Sequence, residues 1–334
     1  MTPLLAPFAL VYASLMRARN ARFDRMAAQR LRWPVVSIGN LSIGGAGKTP
    51  LVICLARLLQ RGGFHPDVLS RGYGRQSKEI ERVDSDGSAE RFGDEPLLIA
   101  RAAGVPVYVG ASRYEAGLLA EAELGREGQH VHLLDDGFQH RQLARDVDIV
   151  VIHRSDLHQR LLPAGRLREP LSSLQRADVI VLRQEDAELE SALRVYAGKE
   201  CRFWRVRRTL SLPIPVKRAL AFCAIARPSE FFAALEAAGA EVVERKSFPD
   251  HHRYTAADID RLAGLGRRHG CDAFVTTAKD EVKLDAAMHR RLNAVAPLRI
   301  ASLAVELEDE ASVLAQLSAK IVIPPAPAIR GIGA

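Results

Sequence analysis

The stretch "SIGGAGKTP", residues 42–50, sets Gly44, Gly45 and Gly47 immediately ahead of Lys48 and Thr49. Glycines let successive backbone N–H groups turn inward on anionic oxygens with no side chain in the way. A following lysine reaches the β- and γ-phosphates, and a threonine at a helix N-terminus offers its hydroxyl to magnesium. The stretch therefore reads as a phosphate loop, Gly44-Gly45-Ala46-Gly47-Lys48-Thr49, that binds a magnesium–nucleotide. The usual pattern has a glycine six positions before the lysine, and Ser42 stands there instead. The bland alternative is a tight glycine turn with an incidental lysine.

Magnesium in such sites takes a carboxylate from the end of a neighbouring apolar strand. "VHLLDDGFQH", residues 131–140, ends its apolar run in Asp135 and Asp136, which are candidate metal ligands or else a surface turn with Gly137. GTPases read guanine with N/T-K-x-D, and "TAKD", residues 277–280, carries its lysine one place late, so ATP is the expected nucleotide.

These groups need a scaffold, and from residue 35 onward short apolar runs alternate with helical patterns, which predicts a mostly parallel sheet covered by helices. Strands are expected at 35–38, 67–70, 105–109, 131–134, 148–152 and 178–182. A helix is expected from Thr49-Pro50 to about Gly62-Gly63, with proline in its first turn. The two prolines of "SLPIPVKR", residues 211–218, follow the basic run "CRFWRVRR" and mark a linker or hinge near residue 215. A second unit then opens with a strand at 219–226 and a helix at 228–239. The expected organisation is a segment 1–32, a nucleotide-binding domain 33–212, a smaller α/β domain 213–323 and a frayed tail 324–334.

The chain of 334 residues has a soluble, folded composition and a net charge of +7. Cys54, Cys201, Cys223 and Cys271 are far apart, which excludes a disulfide framework or C-x-x-C zinc site and fits a reducing compartment. No basic groove studded with aromatics points to nucleic acid. The positive charge gathers at the amino end, where Arg17, Arg19, Arg22, Arg25, Arg30 and Arg32 face Asp24 alone. Ahead of them "PLLAPFALVYASLM", residues 3–16, is uncharged but shorter than the roughly 20 residues a spanning helix needs. Its charges follow the apolar run rather than precede it, unlike a secretory signal. Leu5, Phe8, Tyr12, Leu15 and Met16 recur at helical spacing, which predicts a helix lying in the headgroups of an anionic leaflet, or else packed on the protein's own core.

The loop resembles the deviant K-G-G-x-G-K-T loop of membrane-partitioning ATPases, but Ile43 replaces their lysine. A wider resemblance is carried by "GNLSIGGAGKTP" (39–50), "SRGYGR" (70–75), "GDEP" (93–96), "LDDGFQHR" (134–141), "LPAGRLREP" (162–170), "FPDHHRY" (248–254) and "TAKD" (277–280). In this order they resemble the tetraacyldisaccharide 4′-kinase family of lipid A biosynthesis, which also tolerates a small hydroxyl residue at Ser42.

The resemblance implies transfer of the ATP γ-phosphoryl group, with Mg2+, to the 4′-hydroxyl of an acylated glucosamine disaccharide 1-phosphate. The fold it implies is a P-loop NTPase-like sheet with a second smaller α/β domain and an amphipathic membrane-associated helix. The partner surface is the inner leaflet of the cytoplasmic membrane, which places the enzyme peripherally or monotopically on the cytoplasmic face of the bacterial inner membrane. Asp94 maps onto the family's catalytic aspartate and His251 onto its histidine partner, with adjacent His252 leaving that assignment open; Asp94 also suits a helix N-cap. Glu169 resembles an additional acid near magnesium, and Arg168 a residue that stabilises transferring charge or closes the site. Arg71 and Tyr73 are expected acceptor contacts, and Gln139 and His140, just beyond the aspartate pair, are expected to bind substrate or to support the residues that do. Lys279 and Asp280 match by motif and receive no role. The rivals are the partitioning ATPase without a lipid acceptor and a nucleotide-binding scaffold without catalysis.

Overall fold

The computed structural model describes residues 6–45, 47–212 and 216–321, so Leu5, Ala46, the linker residues 213–215 where a hinge is expected, and the expected tail lie outside the described residues. In chain order its helices are α1 (Ala6–Arg25), α2 (Lys48–Arg61), α3 (Ala89–Phe92), α4 (Asp94–Ala103), α5 (Arg113–Glu123), α6 (Leu189–Arg194), α7 (Pro228–Ala237), α8 (Ala256–His269), α9 (Ala278–Glu281), α10 (Ala286–Asn293) and α11 (Glu310–Lys320). The strands are β1 (Val35–Asn40), β2 (Phe64–Ser70), β3 (Glu81–Arg82), β4 (Val107–Val109), β5 (Gln129–Asp135), β6 (Val147–Val151), β7 (Val179–Arg183), β8 (Arg202–Ser211), β9 (Ala219–Cys223), β10 (Val242–Ser247), β11 (Ala273–Thr277) and β12 (Leu298–Leu307).

All twelve strands form one sheet in the order β10-β9-β11-β12-β8-β7-β6-β1-β5-β2-β4-β3. β1 lies parallel between β5 and β6, so its C-terminal end opens beside those of both neighbours. β1 is buried along its whole length, as expected of a central parallel strand covered on both faces. α2 lays Leu51, Leu55, Leu58 and Leu59 on one face of the sheet with Val36, Ile38, Val131 and Leu133, and Leu31, Leu69, Tyr108 and Leu134 fill part of the other face.

Two long strands stitch the halves of the sheet together. β8, within a run that in sequence looks only basic, alternates buried Trp204 and Val206 with exposed Arg205 and Arg207. It pairs antiparallel with β12, and β12 pairs in parallel with β11. α11 then returns to the half of the sheet that holds β1, where Trp204 Nε1 donates to Gln316 Oε1 at 2.9 Å.

The chain between α1 and β1 is pinned from below. Glu121 Oε1 accepts from the backbone N–H groups of Arg32 and Trp33 at 2.6 and 3.1 Å. His132, wholly buried, bridges Asp67 at 2.9 Å and Glu121 at 3.5 Å. Burial alone would lower its imidazole, but Asp67 and Glu121 outweigh that and push it up to about 9.

α1 continues through its arginines rather than ending before them. Tyr12, Met16, Asn20 and Phe23 form the stripe that meets the protein, with Met16 buried, while Phe8, Val11 and Leu15 are exposed on the outer side. Among the described residues no helix is long and apolar enough to cross a membrane.

Candidate active site

The loop between β1 and α2 turns through left-handed backbone at Gly44 (φ 91°) and Gly47 (φ 86°), conformations that side-chain-bearing residues rarely adopt. Gly47 is the N-cap of α2, so the free N–H groups of the first helical turn, including those of Lys48 and Thr49, face the loop. Ser42 is buried, and Asn40 Nδ2 donates to its carbonyl at 2.9 Å, which closes the turn without the missing glycine. Arg166 braces the outside through Nη2 to the carbonyl of Ile43 at 3.0 Å.

Lys48 Nζ donates to Asn40 Oδ1 at 2.9 Å and lies 3.3 Å from Asp136 Oδ1. Arg168 grips the Asp136 carboxylate with two N–H groups, at 2.9 and 2.8 Å. Burial alone would raise Asp136, but Lys48 and Arg168 outweigh it and hold this carboxylate well below the ordinary range. Asp136 sits at φ 51°, a kink that turns its side chain off the strand line set by Asp135.

Asp135 ends β5 and is fully buried. Ser70 donates to its Oδ2 at 3.1 Å, and its Oδ1 has no hydrogen-bond partner among the described residues. Burial, with Glu95 and Asp136 nearby, pushes it up to about 7. A buried carboxylate oxygen left open beside a threonine-bearing helix start suits a hard cation, so Asp135 and Thr49 fit magnesium. Among the described residues no three His, Cys, Asp or Glu side chains form a metal cage, so remaining ligands would be phosphates and water.

The second half of the site comes from α4, which packs beside α2, and from the loop after β10. Asp94 occupies the first turn of α4 behind the N-cap Gly93, and its Oδ1 accepts from the N–H of Glu95 at 3.0 Å. Its Oδ2 is 2.9 Å from Nδ1 of His251, which is held at φ 60°. Burial would raise Asp94, but the His251 hydrogen bond and the Lys279 ammonium outweigh it, so its pKa lies below the usual carboxylate value. The same hydrogen bond raises His251. His252 instead meets Asp258 at 3.0 Å and stacks on Phe248, so the two histidines have separate partners.

Lys279 closes the group. Its Nζ is 2.9 Å from Glu95 Oε1, 3.4 Å from His251 Nε2, 3.7 Å from Asp250 and 3.9 Å from Asp94. Nothing but its place in "TAKD" signals this in the sequence. Asp280 next to it is buried and accepts from the N–H of Ala224 and from the hydroxyls of Tyr254 and Thr277, and so ties the histidine loop to the second half's strands.

The other expected residues fall in different places. Tyr73 is exposed, and its ring stands 5.1 Å from that of His251; its loop packs on Gly93. Arg71 is exposed, near Arg113 and His140. Arg113, not singled out in the sequence, is buried with Asp135 and Asp136 nearby, and burial lowers it to about 10. Gln139 donates to the carbonyl of Asn40 at 3.0 Å. Burial and the surrounding arginines lower His140 to about 4. Glu169 is buried, but its carboxylate accepts from Arg176 at 2.9 Å and from Asn20 of α1 at 3.2 Å. Tyr12 of α1 donates to the carbonyl of Arg168 at 3.0 Å. The amino-terminal helix is therefore part of the wall of the site.

A family model described as LpxK, tetraacyldisaccharide-1-P 4′-kinase, matches residues 1–322. The chain belongs to this family. A tetraacyldisaccharide 4′-kinase of Koribacter versatilis is 46% identical over 323 residues, covering 93% of this chain and 97% of that protein. One from Anaeromyxobacter dehalogenans is 39% identical over 340 residues, 92% of this chain and 88% of its own length. Among solved structures, LpxK from Aquifex aeolicus in complex with ATP superposes with a TM-score of 0.75 at 32% identity, covering 95% of this chain and 98% of that one. The match extends the kinase family over both halves of the sheet and lends the partitioning-ATPase alternative no support.

Proposed function

We propose that this kinase transfers the γ-phosphoryl group of ATP to the 4′-hydroxyl of tetraacyldisaccharide 1-phosphate. The observation that carries the reading is the convergence of a lysine-bearing phosphate loop with the Asp94–His251 pair, Glu95 lying close enough to Asp135 to raise it.

The amides of residues 44–49 cradle the triphosphate, and Lys48 exchanges its Asn40 and Asp136 contacts for phosphate oxygens. Arg168, fixed by Asp136, presents its charge at the same wall. Bound magnesium would neutralise charge on the phosphates, held by Thr49 with Asp135 and Asp136; the Glu169 carboxylate is engaged by Arg176 and Asn20. Asp94, ionised at neutral pH, accepts a hydrogen bond from the sugar hydroxyl and takes its proton late in transfer, while His251 fixes its orientation. A depressed pKa suits this role, because phosphoryl transfer with a loose transition state depends more on aim than on early deprotonation. Arg71, Tyr73, Gln139 and His140 contact the acceptor side.

Phe8, Val11 and Leu15, exposed on α1 with arginines along the same helix, rest in the headgroups of an anionic inner leaflet on its cytoplasmic face. An acceptor anchored there meets the enzyme at raised effective concentration. The test is incubation with ATP, magnesium and the acylated disaccharide monophosphate: a bis-phosphorylated lipid is expected, and ATP turnover independent of acceptor would overturn the assignment.

A further inference from the structure

Gly47 leaves no room above its α-carbon. A Cβ built there would stand 1.7 Å from Nη2 of Arg208 and 2.6 Å from its guanidinium carbon, so the end of this side chain packs against the phosphate loop. Arg208 comes from β8, opposite Val305 of β12, far in sequence from every motif of the loop.

The sheet order fixes which end of a nucleotide it would meet. Asp135 and Asp136 at the end of β5, and Asp94 at the start of α4 between β3 and β4, come from the β5 side of β1, with His251 reaching Asp94 from the loop after β10, so the γ-phosphate points that way. The remainder of the triphosphate then extends over the C-terminal ends of β6, β7 and β8 on the opposite side, where open α/β sheets bind ligands. There Arg208, Arg183 and His153 line a small cavity together with Gly47. Burial and the charges of Arg183 and Arg227 disfavour the Arg208 cation, with Glu230 and Glu185 opposing them. Crowding of like charge on a glycine loop is relieved when an anion arrives.

We propose that Arg208 contacts the α- and β-phosphates of the nucleotide from the sheet side of the loop, complementing Lys48 at the γ end. The inference rests on the kinase reading and adds a phosphate-binding residue that no loop motif contains. A guanidinium offers two parallel donors to phosphate oxygens, which an ammonium cannot reproduce.

The test is calorimetric binding of ATP, and of inorganic tripolyphosphate as competitor, to the full chain and to Arg208→Gln and Arg208→Lys. Loss of a charge-assisted contact is expected to weaken both ligands about 10- to 100-fold in the glutamine variant, with partial recovery in the lysine variant. Should the glutamine variant fail to fold, the lysine variant decides, and weakened binding of both ligands supports the proposal. Affinities within twofold of the parent in a folded variant, or weakened ATP with unchanged tripolyphosphate, overturn it. A parent chain that binds no nucleotide overturns the kinase reading as well, which separates the two failures.

Discussion

His251 Nδ1 and Asp94 Oδ2 stand 2.9 Å apart although 157 residues separate them, and each shifts the other's titration. His251 is raised above 6.5, so its share of pair stability is complete below that value and is lost as pH climbs through the raised one. Asp94 is lowered below 3.8, so its share is present above that value and is lost as pH falls through the lowered one. His251→Ala removes a stabiliser of the carboxylate while burial still disfavours its charge. The acid limb of the kcat/KM profile is expected to move to higher pH, and a limb that stays in place would disprove the coupling.

Lys279 compensates Glu95, Asp94 and Asp250 together. Lys279→Met leaves three carboxylates facing one another, an imbalance expected to cost about 3 kcal/mol of stability. Urea denaturation measures it, and the same variant should show Asp94 shifted upward in its pH–rate profile. A midpoint equal to the parent's would remove Lys279 from this role.

Lys48→Ala is expected to lower kcat on the order of 10²- to 10³-fold, as loss of one preorganised donor at developing charge does, while the fold survives. Label transfer from γ-labelled ATP to lipid reads the loss directly. Retained transfer would mean that the loop has another use.

Gly93 carries φ 95° and ψ 151°, a region almost reserved for glycine, and a Cβ there would lie 3.1 Å from the α-carbon of Gly72. Gly93→Ala is expected to cost about 1–3 kcal/mol and to displace the Tyr73 loop, raising KM for the acceptor more than for ATP. Equal effects on the two KM values would argue against this loop as an acceptor contact.

Removing residues 1–25 takes away both the exposed Phe8, Val11 and Leu15 and the Tyr12 and Asn20 contacts to Arg168 and Glu169. The truncated chain is expected to leave anionic vesicles and also to turn over more slowly on detergent-dispersed acceptor. Tyr12→Phe separates the effects: vesicle binding persists while activity falls modestly. If truncation changes neither partitioning nor turnover, the helix serves neither purpose.

Much of the frame was legible because short apolar strands flanked by glycine turns follow local rules. The runs at 35–38 and 131–134 fall in β1 and β5, the run at 148–152 overlaps β6 up to Val151, and the loop falls between β1 and α2. β8 escaped because its arginines, Arg205 and Arg207, make a half-covered strand resemble a charged linker, although Trp204 and Val206 keep the two-residue period. Lys279 and Arg113 escaped for another reason. Their places depend on pairings between distant segments, and no local pattern distinguishes a lysine that closes a carboxylate cluster from one on a solvated turn. Asp94 and His251 were readable through family motifs, not from spacing.

The antiparallel ladder of β8 with β12 has a mechanical corollary. The carboxylate–imidazole pair spans parts of the molecule that share one hydrogen-bonded sheet, and Ala226 of the far part stands so near the loop that a Cβ added at Gly44 would lie 3.0 Å from its own. A twist of one part against the other would load that whole ladder and not a single linker. The aim of the pair is thereby tied to the sheet itself, and not to two loosely tethered bodies.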